Sequence, residues 1–192
     1  MPGHRRILFA IDDSVHCQRA FRWFLRWMWR SGAKTSSSQS GIEGETAAEQ
    51  TEEDAITLIH VVSPKFNAHP SLQIHEVMPK KHEEVERKGE EGAPRVMEEA
   101  FVEGKAVCQV FLQLAMEAGA TRCDACIAVD RRTETGRAIL HSARVRGADM
   151  IVVGSHGHGA LHRAVHLGSV SKYITRHSHI PVTIIPSQAC PP

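Results

Sequence analysis

Short apolar runs alternating with amphipathic helical stretches predict an α/β fold, a parallel sheet doubly wound with helices on both faces. Three observations carry this reading. Residues 7–11 (ILFAI) and 55–62 (AITLIHVV) are continuous apolar runs of strand length, as expected for strands buried on both faces. Between such runs, apolar residues recur at spacings of three and four, the helical period. The punctuation agrees: Asp12-Asp13-Ser14 offers a helix N-cap after the first run, and Gly119 and Gly147 stand where two later helices should end.

Taken in order, the first strand leads into a helix over residues 15–30, with Ala20, Phe21, Phe24, Leu25, Trp27 and Met28 on its apolar face. Arg19, Arg22, Arg26 and Arg30 form a basic stripe on another side, a solvated face or a dock for an acidic partner. Residues 32–54 are rich in Ser, Thr, Gly and Glu and read as a flexible acidic insertion. The second strand, 55–62, stops at Ser63-Pro64. Residues 65–94 are loosely patterned; a short exposed helix is the alternative around 80–91, where Lys and Glu mix, but Gly89, Gly92 and Pro94 favour a mobile loop.

A long helix is expected over 95–118, where Val107, Val110, Phe111, Leu114 and Ala115 keep the helical spacing. A third strand over 124–129, a helix over 134–146 with Ile139 and Leu140 inward, and a fourth strand over 149–153 follow. The last helix spans 169–178 and the fifth strand 181–185. The chain is thus one domain, 1–192, with insertions at 32–54 and 65–94.

Composition narrows the function classes. With 23 basic against 22 acidic residues the net charge is +1, so a whole-domain field for nucleic acid is missing. No apolar run is long enough to span a membrane and no secretory leader is visible, which implies a cytoplasmic protein without a membrane partner. The five cysteines are irregularly spaced and read as reduced thiols.

In open α/β sheets, ligands bind beyond the carboxyl ends of the strands, where strand order reverses. Two strand ends carry informative residues: Asp12 after the first strand, and the stretch Gly154-Ser155-His156-Gly157-His158-Gly159 after the fourth. Glycines let backbone N–H groups approach an anion closely. Gly168-Ser169-Val170-Ser171 then opens a helix whose unpaired N–H groups favour phosphate, with Ser169 and Ser171 as hydroxyl donors. Asp12 suits ribose hydroxyls. The loop has no lysine, so it is not GxxxxGK[ST], and its glycines run GxxGxG, not GxGxxG. A glycine-rich turn without a ligand is the competing reading.

Other signals are weaker. Cys123-Asp124-Ala125-Cys126 leads into a strand and not a helix, against a redox role. His158, His162 and His166 recur every four residues, but no carboxylate joins them to complete a metal site. Arg163 is the candidate cationic phosphate contact.

Four stretches, residues 7–14 (ILFAIDDS), 58–62 (LIHVV), 136–156 (GRAILHSARVRGADMIVVGSH) and 168–186 (GSVSKYITRHSHIPVTIIP), together resemble the universal stress protein family. The resemblance implies five parallel strands in the order 3-2-1-4-5 and a homodimer joined through the last strand, residues 181–186. It also implies an ATP site, with AMP or ADP as alternatives and Mg²⁺ accompanying ATP. In that site Ala10 and Ile11 would line the base, Asp12 would hold the ribose, and Val61 would meet the adenine by its backbone. Gly154 and Gly157 would flank ribose and phosphates, and Gly168, Ser169, Val170 and Ser171 would hold the phosphate tail. Ten residues, 158–167, separate Gly157 from Gly168, where the family motif has nine. The expected role is a regulatory or signalling module of the stress response. A slow ATP hydrolase using Asp12 as base, or a dimeric scaffold without nucleotide, are the alternatives.

Overall fold

The computed structural model describes residues 4–32, 53–63, 82–129, 134–156 and 167–186, with residues 82–94 as backbone only. The elements are β1 (Arg6–Ile11), α1 (Val15–Trp27), β2 (Ala55–Val62), α2 (His82–Glu117), β3 (Cys123–Val129), α3 (Thr135–Val145), β4 (Met150–Gly154), α4 (Ser169–His177) and β5 (Val182–Ile185). All strand pairings are parallel, in the order β3-β2-β1-β4-β5. The expected fold and strand order are both realised.

Alternation along the central strand builds two cores. Ile7, Phe9 and Ile11 point to the side covered by α1 and α2, and Leu8 and Ala10 point to the side of α3 and α4. On the first side Phe9 meets Phe21 edge-on with ring centroids 5.0 Å apart, and Phe21 meets Phe111 of α2 at 5.4 Å. These rings are fully buried, which is what fixes both helices on one face. On the other side Leu8, Ile59 and Ile151 pack against Ile139 of α3 and Ile174 of α4.

Local signals set most boundaries. Ser14 caps α1, its Oγ accepting from the Cys17 N–H at 3.1 Å. Gly119 (φ 86°) and Gly147 (φ 60°) end α2 and α3 in the left-handed region that glycine adopts without strain.

Three boundaries depart from expectation. Helix α1 ends at Trp27, short of residue 30, because distant groups capture its exit: Arg5 Nη2 donates to the Met28 carbonyl (2.9 Å) and the Arg30 N–H donates to Asp54 Oδ2 (2.9 Å). Asp54, read as the end of a flexible insertion, is fully buried and accepts from Arg5 Nε at 2.9 Å. Glu53 beside it accepts from the Thr121 N–H at 2.7 Å. Helix α2 begins at His82, thirteen residues before the expected start at 95, and so runs through Gly89, Gly92 and Pro94. Its anchored half, with Cys108, Phe111 and Ala115 buried, supplies the nucleus. Extending a formed helix avoids a second nucleation cost, which offsets weak local propensity. The remainder of the two insertions, 33–52 and 65–81, lies outside the described residues. No described helix is long and apolar enough to cross a membrane.

Candidate functional site

Strand order reverses between β1 and β4. Their register pairs Ile7 with Met150, Leu8 with Ile151 and Phe9 with Val152. Continued by two residues, it sets Ile11 opposite Gly154, so Asp12 and Ser155 leave the sheet side by side at the crevice where open α/β sheets bind ligands.

Asp12 occupies the turn between β1 and α1. Its Oδ1 accepts from the Ser14 N–H at 2.9 Å, an Asx-type turn that fixes the carboxylate, while Oδ2 has no hydrogen-bond partner among the described residues. The Asp12 N–H lies 3.4 Å from Cys17 Sγ, and that thiol sits 3.7 Å from the Ala10 carbonyl. Burial, reinforced by the nearby Asp12 charge, pushes the Cys17 thiol up, so it remains a neutral donor that staples the turn to the helix.

The base-lining candidates divide by face. Ala10 and Val61 are half-buried on the α3/α4 side of neighbouring strands, β1 and β2. Ile11 is buried in the opposite core, and its carbonyl lies 3.0 Å from His60 Nδ1. Ile11 therefore contributes backbone to the crevice and not a side chain. The carbonyl only accepts, so the His60 contact puts the proton on Nδ1.

At the β4 exit two hydrogen bonds bring the distant ends of the glycine-rich stretch together. The Gly168 N–H donates to the Ser155 carbonyl at 2.8 Å, and Ser171 Oγ donates to the Gly154 carbonyl at 2.7 Å. Gly168 is the N-cap of α4 and has no side chain to cap with. The first backbone bond of the helix is Lys172 N–H to the Gly168 carbonyl at 2.9 Å. The amides of Ser169, Val170 and Ser171 are thus left without partners among the described residues. A Ser or Asp cap would have satisfied one of them; glycine leaves all three to an outside acceptor. The first turn also holds no acidic side chain.

Ser169 is exposed with its hydroxyl unengaged, as a phosphate donor requires. Ser171 is buried and spends its hydroxyl proton on Gly154, so what it can offer an anion is its amide. Among the described residues, a Cβ built on Gly154 would meet the His156 carbonyl at 3.4 Å, an ordinary contact, and nothing else. Neither packing against the described residues nor backbone conformation demands glycine there. Gly157, Arg163, His158, His162 and His166 lie outside the described residues.

Two groups at the site escaped the sequence reading. Ser155 Oγ lies 3.0 Å from His156 Nδ1, orienting that ring at the strand exit, and His60 secures the end of β1. Both sit one residue from motif positions, but a contact between neighbouring polar side chains, or from a side chain to a distant carbonyl, leaves no mark on periodicity. Among the described residues no group of three or more His, Cys, Asp or Glu side chains could hold a metal. The half-buried pair Cys123 and Cys126 stays protonated, since burial pushes both thiols up, Cys123 to about 12.

A doubly wound α/β domain with an uncapped helix N-terminus at its topological switch point has the geometry by which such folds can receive an anion on backbone amides. The chain belongs to the universal stress protein family, whose family model matches residues 3–186. No curated protein matches it by sequence. Solved structures of similar fold include the universal stress protein UspA from Lactobacillus plantarum, 18% identical over 96% of this chain and 99% of that one, with a TM-score of 0.60. A universal stress protein family protein from Arabidopsis thaliana with AMP bound is 17% identical over 95% of this chain and 91% of that one (TM-score 0.52). The universal stress protein from Archaeoglobus fulgidus in complex with dAMP is 15% identical over 95% and 98% (TM-score 0.53).

Proposed function

We propose that the chain binds an adenine nucleotide, ATP by preference, in the crevice between the ends of β1 and β4, and acts in the cytoplasm as a regulatory module of the stress response. The observation that carries this reading is the set of amides at Ser169, Val170 and Ser171 that have no partner among the described residues, held beside Gly154 by the Ser171 hydroxyl. Phosphates are the natural acceptors for that terminus. Asp12 Oδ2 is the acceptor for ribose hydroxyls, and Ala10 and Val61 are the apolar surface for the base. The AMP and dAMP complexes of similar folds support an adenine nucleotide.

Magnesium fits this site as a passenger of the phosphates, where it would neutralise oxygen charge, since among the described residues no cluster could bind it alone. Gly157 completes the proposed site set. The edge strand β5, residues 182–185, is the proposed seam of a homodimer. Titration calorimetry of the full chain with ATP, ADP and AMP, each with and without Mg²⁺, tests the reading. Saturable heat strongest with ATP is expected; no heat with any of the three would remove it.

A further inference from the structure

Helix α1 carries charge that no carboxylate among the described residues answers. Its thirteen residues include Arg19, Arg22 and Arg26, with Arg30 just beyond, and no acidic side chain. At 100° per residue Arg19, Arg22 and Arg26 fall within one stripe, and Trp23 and Trp27 fall along its flank. Arg22, Arg26, Arg30 and Trp27 are exposed, Trp27 at 65%. The Arg26 guanidinium lies 5.2 Å from the centre of the Trp27 ring.

Elsewhere Arg6, Arg95, Arg137 and Arg146 each reach a carboxylate of the chain itself, on Asp149, Glu99, Glu134 and Asp124. The α1 arginines reach none among the described residues. Attraction to the helix C-terminus accounts for Arg26, in the last turn, but not for Arg19 and Arg22 in the middle.

We infer that the outer face of α1 is a docking site for an acidic protein segment, whose carboxylates the arginines clamp and whose apolar side chains rest on Trp27. Arginine forks match carboxylates two bonds at a time, and Arg and Trp are the residue types that dominate protein interfaces. A nucleic acid fits less well. The chain as a whole carries a net charge of +1, so beyond this stripe there is no extended positive field for a longer phosphate backbone. A membrane fits less well too, because the apolar face of α1 is already buried in the core. The stripe starts near Asp12 and runs away from it, Arg26 lying roughly 18 Å along the helix from Ser14. This inference does not depend on nucleotide binding.

The test is fluorescence anisotropy of the full chain with a fluorescein-labelled peptide of glutamate, alanine and leucine, run beside a single-stranded oligonucleotide and phosphatidylserine vesicles. Salt-sensitive peptide binding is expected, weakened at least about tenfold by the surface double variant R22E/R26E and restored when lysine replaces glutamate in the peptide. Trp27→Ala should weaken it without changing its salt dependence. Circular dichroism and thermal unfolding of both variants keep a folding defect separate from lost docking. Absence of peptide binding, insensitivity to R22E/R26E in a folded protein, or tighter binding to oligonucleotide or vesicles would each overturn the inference.

Discussion

The hydroxyl of Ser171 donates to the carbonyl of Gly154 across 2.7 Å, tying the first turn of the last helix to the exit of the fourth strand. Seventeen residues separate the two in sequence, and the bond is what aims the free α4 amides at the strand end. Ser171→Ala leaves the Gly154 carbonyl without this donor. It should cost about 1 kcal/mol in urea unfolding. Nucleotide affinity should fall as well, while Ser171→Thr, which keeps a hydroxyl, should recover most of it. Both properties staying at wild-type values would show that the bond positions nothing.

Gly154 separates structural from functional demand for glycine. An added Cβ finds ordinary contact at 3.4 Å and no forbidden backbone angle. Gly154→Ala should therefore unfold within about 0.5 kcal/mol of wild type. A methyl where ribose and phosphate approach should nonetheless weaken ATP roughly tenfold or more in calorimetry. Unchanged affinity would put the ligand elsewhere.

Asp12 offers a similar split. Asp12→Asn keeps an oxygen for the Ser14 N–H and so keeps the turn, but exchanges the outward acceptor for a donor or a neutral oxygen. Stability should hold while ATP binding weakens about tenfold, and 2′,3′-dideoxy-ATP should lose far less between wild type and variant. Equal losses with both nucleotides would contradict a ribose contact.

The pair formed by half-buried Arg5 and buried Asp54 makes stability pH-dependent. Burial alone would raise the Asp54 carboxyl, but hydrogen bonds from Arg5 and the Arg30 amide outweigh it and hold the group below its ordinary value. A folded-state pKa below the unfolded one gives stability that is full above about pH 4 and is lost as pH falls through the folded value. Asp54→Asn should cost about 3 kcal/mol or more at pH 7 and flatten the acid limb of the urea midpoint against pH. An acid limb as steep in the variant would assign the dependence to Glu53 and Asp149, whose carboxyls are also held low.

What the sequence made legible follows from the range of the forces involved. Buried strands announce themselves as apolar runs, and helix ends as Ser14, Gly119 and Gly147, because strand burial, caps and left-handed turns are local matters. The Asp12 turn and the Gly168 cap were readable for the same reason. The end of α1 was not, since Arg5 and Asp54 set it from 23 and 24 residues away. Asp54 looked like part of an acidic, polar segment; only its fold partner makes it a core residue. Ser171 looked like a ligand donor because nothing in its neighbourhood shows that Gly154 claims its proton.

The central claim is that the amides of Ser169, Val170 and Ser171 receive the phosphates of an adenine nucleotide. Amide nuclear magnetic resonance of the labelled full chain during an ATP titration tests it at those atoms. Saturable shifts at 169–171, larger with ATP than with adenosine, are the expected result. Saturation elsewhere with these three amides unmoved would contradict it.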